Sequence, residues 1–273
     1  MDREALIFLH IPKTAGTTLN RIIEWQYNPL SIFTVDPHRI RATVQRFRTL
    51  SEDRRRRLRV VRGHLFYGIH EYLPQGATYI TMLREPVARL LSSYFFILRR
   101  PLHPLHRKLK KGKLGVKGLI ALTPNSQNLQ CRFIAGIGKT GVCDRSVLEN
   151  AKEHLSRSFR VVGISERFEE SLLLIATKFR WSLCYYEDRK VARNRSVVEP
   201  DVVEAIRQHN SLDLELYDFG MKLFEEDLRR NEDAIREARV AMDSLAKPGV
   251  MEHFVKSNVG MMRFLTSKVA SAV

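Results

Sequence analysis

Three observations predict an α/β fold with three layers, a central parallel sheet flanked by helices, extended at the C-terminus by further helix. Short apolar runs at 5–10, 59–62, 78–83 and 159–163 have the composition of strands buried on both faces. Amphipathic stretches alternate with them, at 17–26, 39–49, 86–98, 145–156, 168–178, 200–210 and 212–240. The first run, Ala5 to Leu9, passes through Pro12-Lys13-Thr14-Ala15-Gly16-Thr17-Thr18 into a helix, which is the outline of a phosphate cradle.

In that cradle Thr17 or Thr18 is expected to cap a helix that carries Leu19, Ile22 and Ile23 on one side. Unpaired N–H groups and the helix dipole favour an anion there, Gly16 lets the backbone approach a ligand, and the threonine hydroxyls can donate to phosphate oxygens. Lys13 adds a mobile positive charge. A Walker A sequence places its lysine after the second glycine, whereas Lys13 precedes Gly16, so the pattern is a different one.

The strand at 59–62 leads into Arg62-Gly63-His64. A histidine at a strand's C-terminal end, with an ordinary pKa of ~6.5, suits proton abstraction at neutral pH. The other histidines read as structural or surface residues, His10 being the one that adjoins the cradle. The strand at 78–83 is followed by Arg84-Glu85-Pro86 and a helix through Arg89, Ser92 and Tyr94. Pro86 fits a first helical turn, which leaves Arg84 at the sheet edge where open α/β sheets bind ligands. Ser92, about two turns on, can meet Arg84 around one phosphate, the alternative being an Arg–Glu pairing without a ligand.

Pro101 to Gly118 reads as a basic connection punctuated by proline and glycine, close to a substrate. The 273 residues are expected to form a domain over 1–230 and a helical extension over 231–273, packing on the body or on a second copy through its amphipathic tail. Met1-Asp2-Arg3-Glu4 shows no secretory pattern and no apolar run reaches transmembrane length, so a cytoplasmic location is expected. Cys131, Cys143 and Cys184 lack metal-ligand spacing and read as reduced structural thiols.

Lys and Arg number 46 against 30 Asp and Glu, a formal charge of +16 that attracts an anionic cofactor, an acidic polysaccharide, nucleic acid or a membrane surface. Its densest runs, Arg54 to Arg57 and Arg107 to Lys113, read as solvated faces.

Together the cradle, Arg84-Glu85-Pro86-Val87-Ala88-Arg89-Leu90-Leu91-Ser92-Ser93-Tyr94 and Gly63-His64 resemble the PAPS-dependent sulfotransferases, in particular the carbohydrate family that includes heparan sulfate 2-O-sulfotransferase. Asn128-Leu129-Gln130, Val162 to Phe168, and Asn210, Asp213, Leu216 and Tyr217 fit the same family, so that the resemblance covers about residues 5–230. It implies a P-loop-like fold and an enzyme that moves a sulfuryl group from PAPS to an acceptor hydroxyl, leaving PAP. Pro12, Lys13, Thr14, Ala15, Gly16, Thr17 and Thr18 then bind the 5′-phosphosulfate, Arg84 and Ser92 the 3′-phosphate, and His64 is the base. Arg189 and Arg193 lie on a basic segment that can close over the cofactor or the acceptor, the alternative being a solvated loop; Glu166 is an alternative base or an acceptor-orienting group, unless it caps a turn or pairs with a nearby arginine. The chain departs from the family in Glu85, where the family has Asp, and in Arg62, where the 2-O-sulfotransferase has a further histidine.

The acceptor implied is a glycan or similar hydroxyl-bearing molecule, with no nucleic acid, and no metal is expected because a sulfuryl group carries less charge than a phosphoryl group. The rival readings are a kinase-like phosphotransferase, which would bind ATP-Mg²⁺, and a non-catalytic polyanion-binding module, which would not depend on Lys13.

Overall fold

The computed structural model describes residues 4–138, 141–181 and 198–245. Five strands form one fully parallel sheet: β1 (Ala5–Leu9), β2 (Ile32–Val35), β3 (Val60–Gly63), β4 (Ala77–Leu83) and β5 (Phe159–Ile164), in the order β2-β3-β1-β4-β5. The central strand β1 is buried at every position, as a strand covered on both faces must be. It pairs Leu9 with Gly63 of β3 and with Thr81 of β4, and the Thr81 hydroxyl donates to the Leu9 carbonyl at 2.9 Å.

The helices are α1 (Gly16–Gln26), α2 (Ile40–Arg48), α3 (Glu52–Arg56), α4 (Pro86–Leu98), α5 (His106–Lys111), α6 (Val116–Leu122), α7 (Leu129–Ala135), α8 (Arg145–Ser158), α9 (Phe168–Phe179), α10 (Pro200–His209), α11 (Ser211–Arg230) and α12 (Glu232–Leu245). Helices α8, α9 and α11 pack on β5, and α12 packs on α9, where Arg239 pairs with Glu169. The main core gathers the strands with Leu19, Ile22 and Ile23 of α1, Phe133 of α7 and Leu172 and Ile175 of α9.

Four expectations are corrected. Strand β2 occupies residues for which no element was expected, because four residues after a proline turn are too few to show a period. The long helix expected over 212–240 is two helices. Asn231, at φ −121°, ends α11, and its side-chain amide donates to the Asp227 carbonyl at 2.7 Å. The stretch 101–118 is not an irregular connection but holds α5 and the start of α6. Leu109, Val116 and Leu119 form a second small core with Leu90 and Ile97 of α4 and Ile206 of α10. The fourth concerns the start of α1: neither Thr17 nor Thr18 caps it. Ala15 occupies the capping position at φ 61° without a side-chain hydrogen bond, so both threonines lie inside the first turn.

Residues 182–197 and 246–273 lie outside the described residues, and with them Cys184, the basic segment containing Arg189 and Arg193, and the amphipathic tail. Cys131 is buried and its thiol is pushed far up by burial and by Asp213; Cys143 is pushed up to about 11, mainly by burial. Both are thiols rather than thiolates at neutral pH.

Candidate active site

Parallel strands end on one edge of the sheet, so the residues that follow β1, β3, β4 and β5 come together there. After β1 the chain turns through His10 to Ala15. Lys13 (φ 73°) and Ala15 (φ 61°) are left-handed, a conformation costing ~1–2 kcal/mol per non-glycine residue. Successive main-chain N–H groups in such a bend face one side and form a concavity suited to an anion. The Thr14 side chain is buried and its hydroxyl donates to the Ile11 carbonyl at 2.9 Å, which braces the bend from inside.

Gly16 has a reason in the fold itself, beside the one expected. A Cβ on Gly16 would lie 2.1 Å from Cδ2 and Nε2 of His10, so the space that a side chain would need is filled by that imidazole. The His10 ring is held between Phe8 (centroids 5.3 Å apart, 11° between planes) and His64 (4.4 Å, 30°). Burial first, then the charges of His64, Lys13 and Arg62, lower its pKa to about 3, and it is neutral.

His64 follows Gly63, where a side chain is excluded twice over: φ is +129°, and a Cβ there would stand 2.6 Å from the Val35 carbonyl oxygen. The His64 Nδ1–H donates to the His10 carbonyl at 2.8 Å, which puts the basic lone pair on Nε2. Arg62 points elsewhere. Its guanidinium donates to Thr34 Oγ1 (3.1 Å), to the Asn20 carbonyl (2.7 Å) and to Glu24, tying β2 and α1 to β3.

Arg84, directly after β4, is clasped through its main chain by the fully buried Gln130. The Arg84 N–H donates to Gln130 Oε1 at 3.0 Å and Gln130 Nε2 donates to the Arg84 carbonyl at 2.9 Å. Its guanidinium Nη1 donates to the Lys13 carbonyl at 3.0 Å. Nε, 3.7 Å from Glu166 Oε1, is buried without a hydrogen bond. Glu166 also accepts from the Glu85 N–H and the Tyr217 hydroxyl, so it belongs to the scaffold around Arg84. Glu85 accepts from the N–H groups of Val87 and Ala88 and thereby caps α4.

The position of α7 rests on Asp213, buried in α11, which accepts from the N–H groups of Gln130 and Cys131 at 3.0 and 2.8 Å. Asn128 returns the contact by accepting from the N–H groups of Leu212 and Asp213. Arg89, fully buried in α4, donates to Asn210 and balances the Asp213 charge.

Lys13 completes the group. Its ammonium lies 4.1 Å from the centroid of Phe96. Burial first, then Arg84, Arg99 and Arg100, lower its pKa to about 8. Four cations around one bend, with Glu166 as the carboxylate paired to them among the described residues, make a site of unspent positive charge. Ser92 stands on α4, half-buried, outside the Arg84–Gln130–Glu166 network.

A family model, galactose-3-O-sulfotransferase, matches residues 1–248. The chain belongs to this family. Galactose-3-O-sulfotransferase 2 of Homo sapiens is 24% identical over 176 residues, which cover 59% of this chain and 44% of the human protein. Heparan sulfate 2-O-sulfotransferase 1 of Gallus gallus is 23% identical over 256 residues, 82% of this chain and 71% of the chicken protein. Among solved structures, a sulfotransferase from Alicyclobacillus acidocaldarius aligns at TM-score 0.46 and 16% identity, over 82% of this chain and 97% of that one. Mouse SULT7A1 complexed with PAP aligns at 0.39 and 14%, over 78% and 66%.

In this member of the galactose-3-O-sulfotransferase family, Lys13, Arg84 and His64 all stand at the one sheet edge. What sequence reasoning missed is the set of side chains that tie them: His10 under the cradle, and Phe96, Arg99 and Arg100 around Lys13. The spacing Arg99-Arg100 at the end of α4 was available as a signal; the place of His10 shows only in three dimensions. No helix among the described residues is long and apolar enough to cross a membrane.

Proposed function

We propose that the protein transfers a sulfuryl group from PAPS to the hydroxyl of a carbohydrate acceptor, in line, and releases PAP. The observation that carries this reading is the hydrogen bond from Arg84 to the Lys13 carbonyl, which joins two cationic strand ends into one site. The donor set fits such a molecule on two counts. Arg84 Nε is a buried donor lacking an acceptor, and Lys13 is crowded by arginines whose charge an anion would offset. Both curated relatives are named for sulfuryl transfer, one of them to a glycan and the other to a sugar.

The residues that would hold PAPS are the main chain of Lys13 to Gly16 with Thr17 and Thr18 at the 5′ end, and Arg84 with Ser92 at the 3′-phosphate. PAPS supplies the activated sulfuryl group. His64 takes the proton of the acceptor hydroxyl on Nε2 as the new oxygen–sulfur bond forms, its tautomer being set by the bond from Nδ1 to His10. Lys13 stabilises the charge that develops on the leaving phosphate oxygen as the old bond breaks. Phe96 holds the Lys13 stem beside the bend without neutralising it.

Incubation with ³⁵S-labelled PAPS and a panel of glycans tests the reading. Transfer by the wild type, reduced roughly 10²- to 10⁴-fold in His64→Ala and strongly reduced in Lys13→Ala, supports it; a wild type that neither transfers label nor binds PAP rejects it.

A further inference from the structure

One buried histidine at the site has no part in the chemistry above. His10 follows β1, and its N–H donates to the Gly63 carbonyl at 3.0 Å, prolonging the ladder toward His64. Its carbonyl accepts from His64 Nδ1, and its ring lies against the His64 ring. On the far side Asn20 Nδ2 donates to His10 Nδ1 at 3.3 Å, so the ring carries its proton on Nε2, the edge against Gly16. Asn20 is anchored in turn, since its carbonyl accepts from Arg62, two residues before His64. The result is a closed circuit through Arg62, Asn20, His10 and His64, with the first residue of α1 resting on one of its members.

We propose that His10 is a positioning residue that sets His64 at a fixed distance and orientation from the phosphate cradle. This inference rests on the reading of His64 as the base. A glycine at 16 is required for the ring to lie under the cradle, and the ring is required for His64 to have a wall on that side. His10 itself takes no proton: buried and surrounded by cations, it is neutral across the working range. A neutral spacer keeps the geometry without adding a charge beside a base that must accept one. Misplacement of a reacting group by about 1 Å can cost roughly 10²-fold in rate, which gives the scale of the effect expected.

His10→Asn separates the possibilities, because its amide oxygen can still accept from Asn20 while the ring over His64 and under Gly16 is gone. The melting temperature is expected to fall with the loss of the buried ring, while at temperatures where the variant is folded the affinity for PAP stays close to wild type and kcat is reduced roughly 10- to 100-fold. In a His64→Ala background the same substitution is expected to have no further effect on kcat, since the group being positioned is absent. An equal loss in both backgrounds, an unchanged kcat, or a fall in PAP affinity parallel to kcat would overturn the proposal. A second readout does not need activity. The Nδ1–H of His64, bonded to a carbonyl and walled by His10, is expected as a slowly exchanging imidazole resonance in the wild-type protein and lost in His10→Asn; its persistence in the variant overturns the proposal. If instead His64→Ala retains wild-type kcat, it is the assignment of the base that fails.

Discussion

The guanidinium of Arg84 donates to the main-chain carbonyl of Lys13 at 3.0 Å, across the pair of strands β1 and β4. The two cationic ends of the proposed site are therefore one mechanical unit. The residue placed to meet the 3′-phosphate also fixes the bend that carries the lysine for the 5′ end. Arg84→Met is expected to weaken PAP binding by more than the loss of one phosphate contact, which alone is worth ~1.5–3 kcal/mol, because the Lys13 bend is released as well. Calorimetric titration of both proteins with PAP measures the difference; Arg84→Lys, which keeps charge but not the fork, is expected to recover only part of it.

Lys13 predicts a pH dependence. Burial, followed by Arg84, Arg99 and Arg100, lowers its pKa from 10.5 to about 8. A bound dianion favours the charged lysine, so PAP binding should take up a proton above pH 8 and weaken as pH rises through that value. Titrations in buffers of different ionisation enthalpy would show the uptake, and Lys13→Met should abolish it. Without ligand the sign is opposite in consequence. The folded protein binds the Lys13 proton less readily than the unfolded chain, so this residue opposes folding at pH 7 and ceases to do so between pH 8 and 10.5. Lys13→Met is accordingly expected to raise the melting temperature at pH 7 while removing activity.

Gln130 is predicted to matter through Arg84. Gln130→Leu leaves the Arg84 N–H and carbonyl without their partners in a buried position, at a cost of ~1–3 kcal/mol for each unpaired group. Urea unfolding should show the loss of stability, and PAP affinity should fall with it, although Gln130 itself is expected to touch no ligand.

Asp213 and Arg89 are buried groups of opposite charge that influence each other without a direct ion pair: Asp213 of α11 accepts from the α7 N–H groups and Arg89 of α4 donates to Asn210. Asp213→Asn leaves Arg89 uncompensated and is expected to cost ~3–5 kcal/mol, read by thermal and chemical unfolding. Adding Arg89→Met should restore part of that stability, because it removes the stranded charge.

The cradle, Arg84 and His64 were legible in the sequence because each follows a short apolar strand and stands next to a distinctive residue pair, Pro12-Lys13, Arg84-Glu85 or Gly63-His64. Helix α7 was not legible as an element. Leu129 to Ile134 are all buried, so no polar stripe alternates with an apolar one, and Gln130 and Arg132 have the look of surface residues. Strand β2 was too short to show a period. His10 was read as structural, the one histidine adjoining the cradle, and nothing in its neighbours announces the stack with His64, 54 residues away. Gly16 was recognised as necessary for a ligand's approach, but the sequence does not show its second reason: the His10 ring fills the space a side chain there would need. Motifs at strand ends announce themselves locally; the side chains that hold them in register depend on which strands become neighbours.

Selection for a 3′-phosphate is the most direct measure of the central claim. Calorimetric titration of the wild-type protein with PAP, with adenosine 5′-phosphate and with ATP-Mg²⁺ compares the three. PAP is predicted to bind at least about tenfold more tightly than either, a difference of ~1.4 kcal/mol, and to lose that advantage in Arg84→Met. Equal affinity for PAP and adenosine 5′-phosphate, or tighter binding of ATP-Mg²⁺ than of PAP, would contradict it.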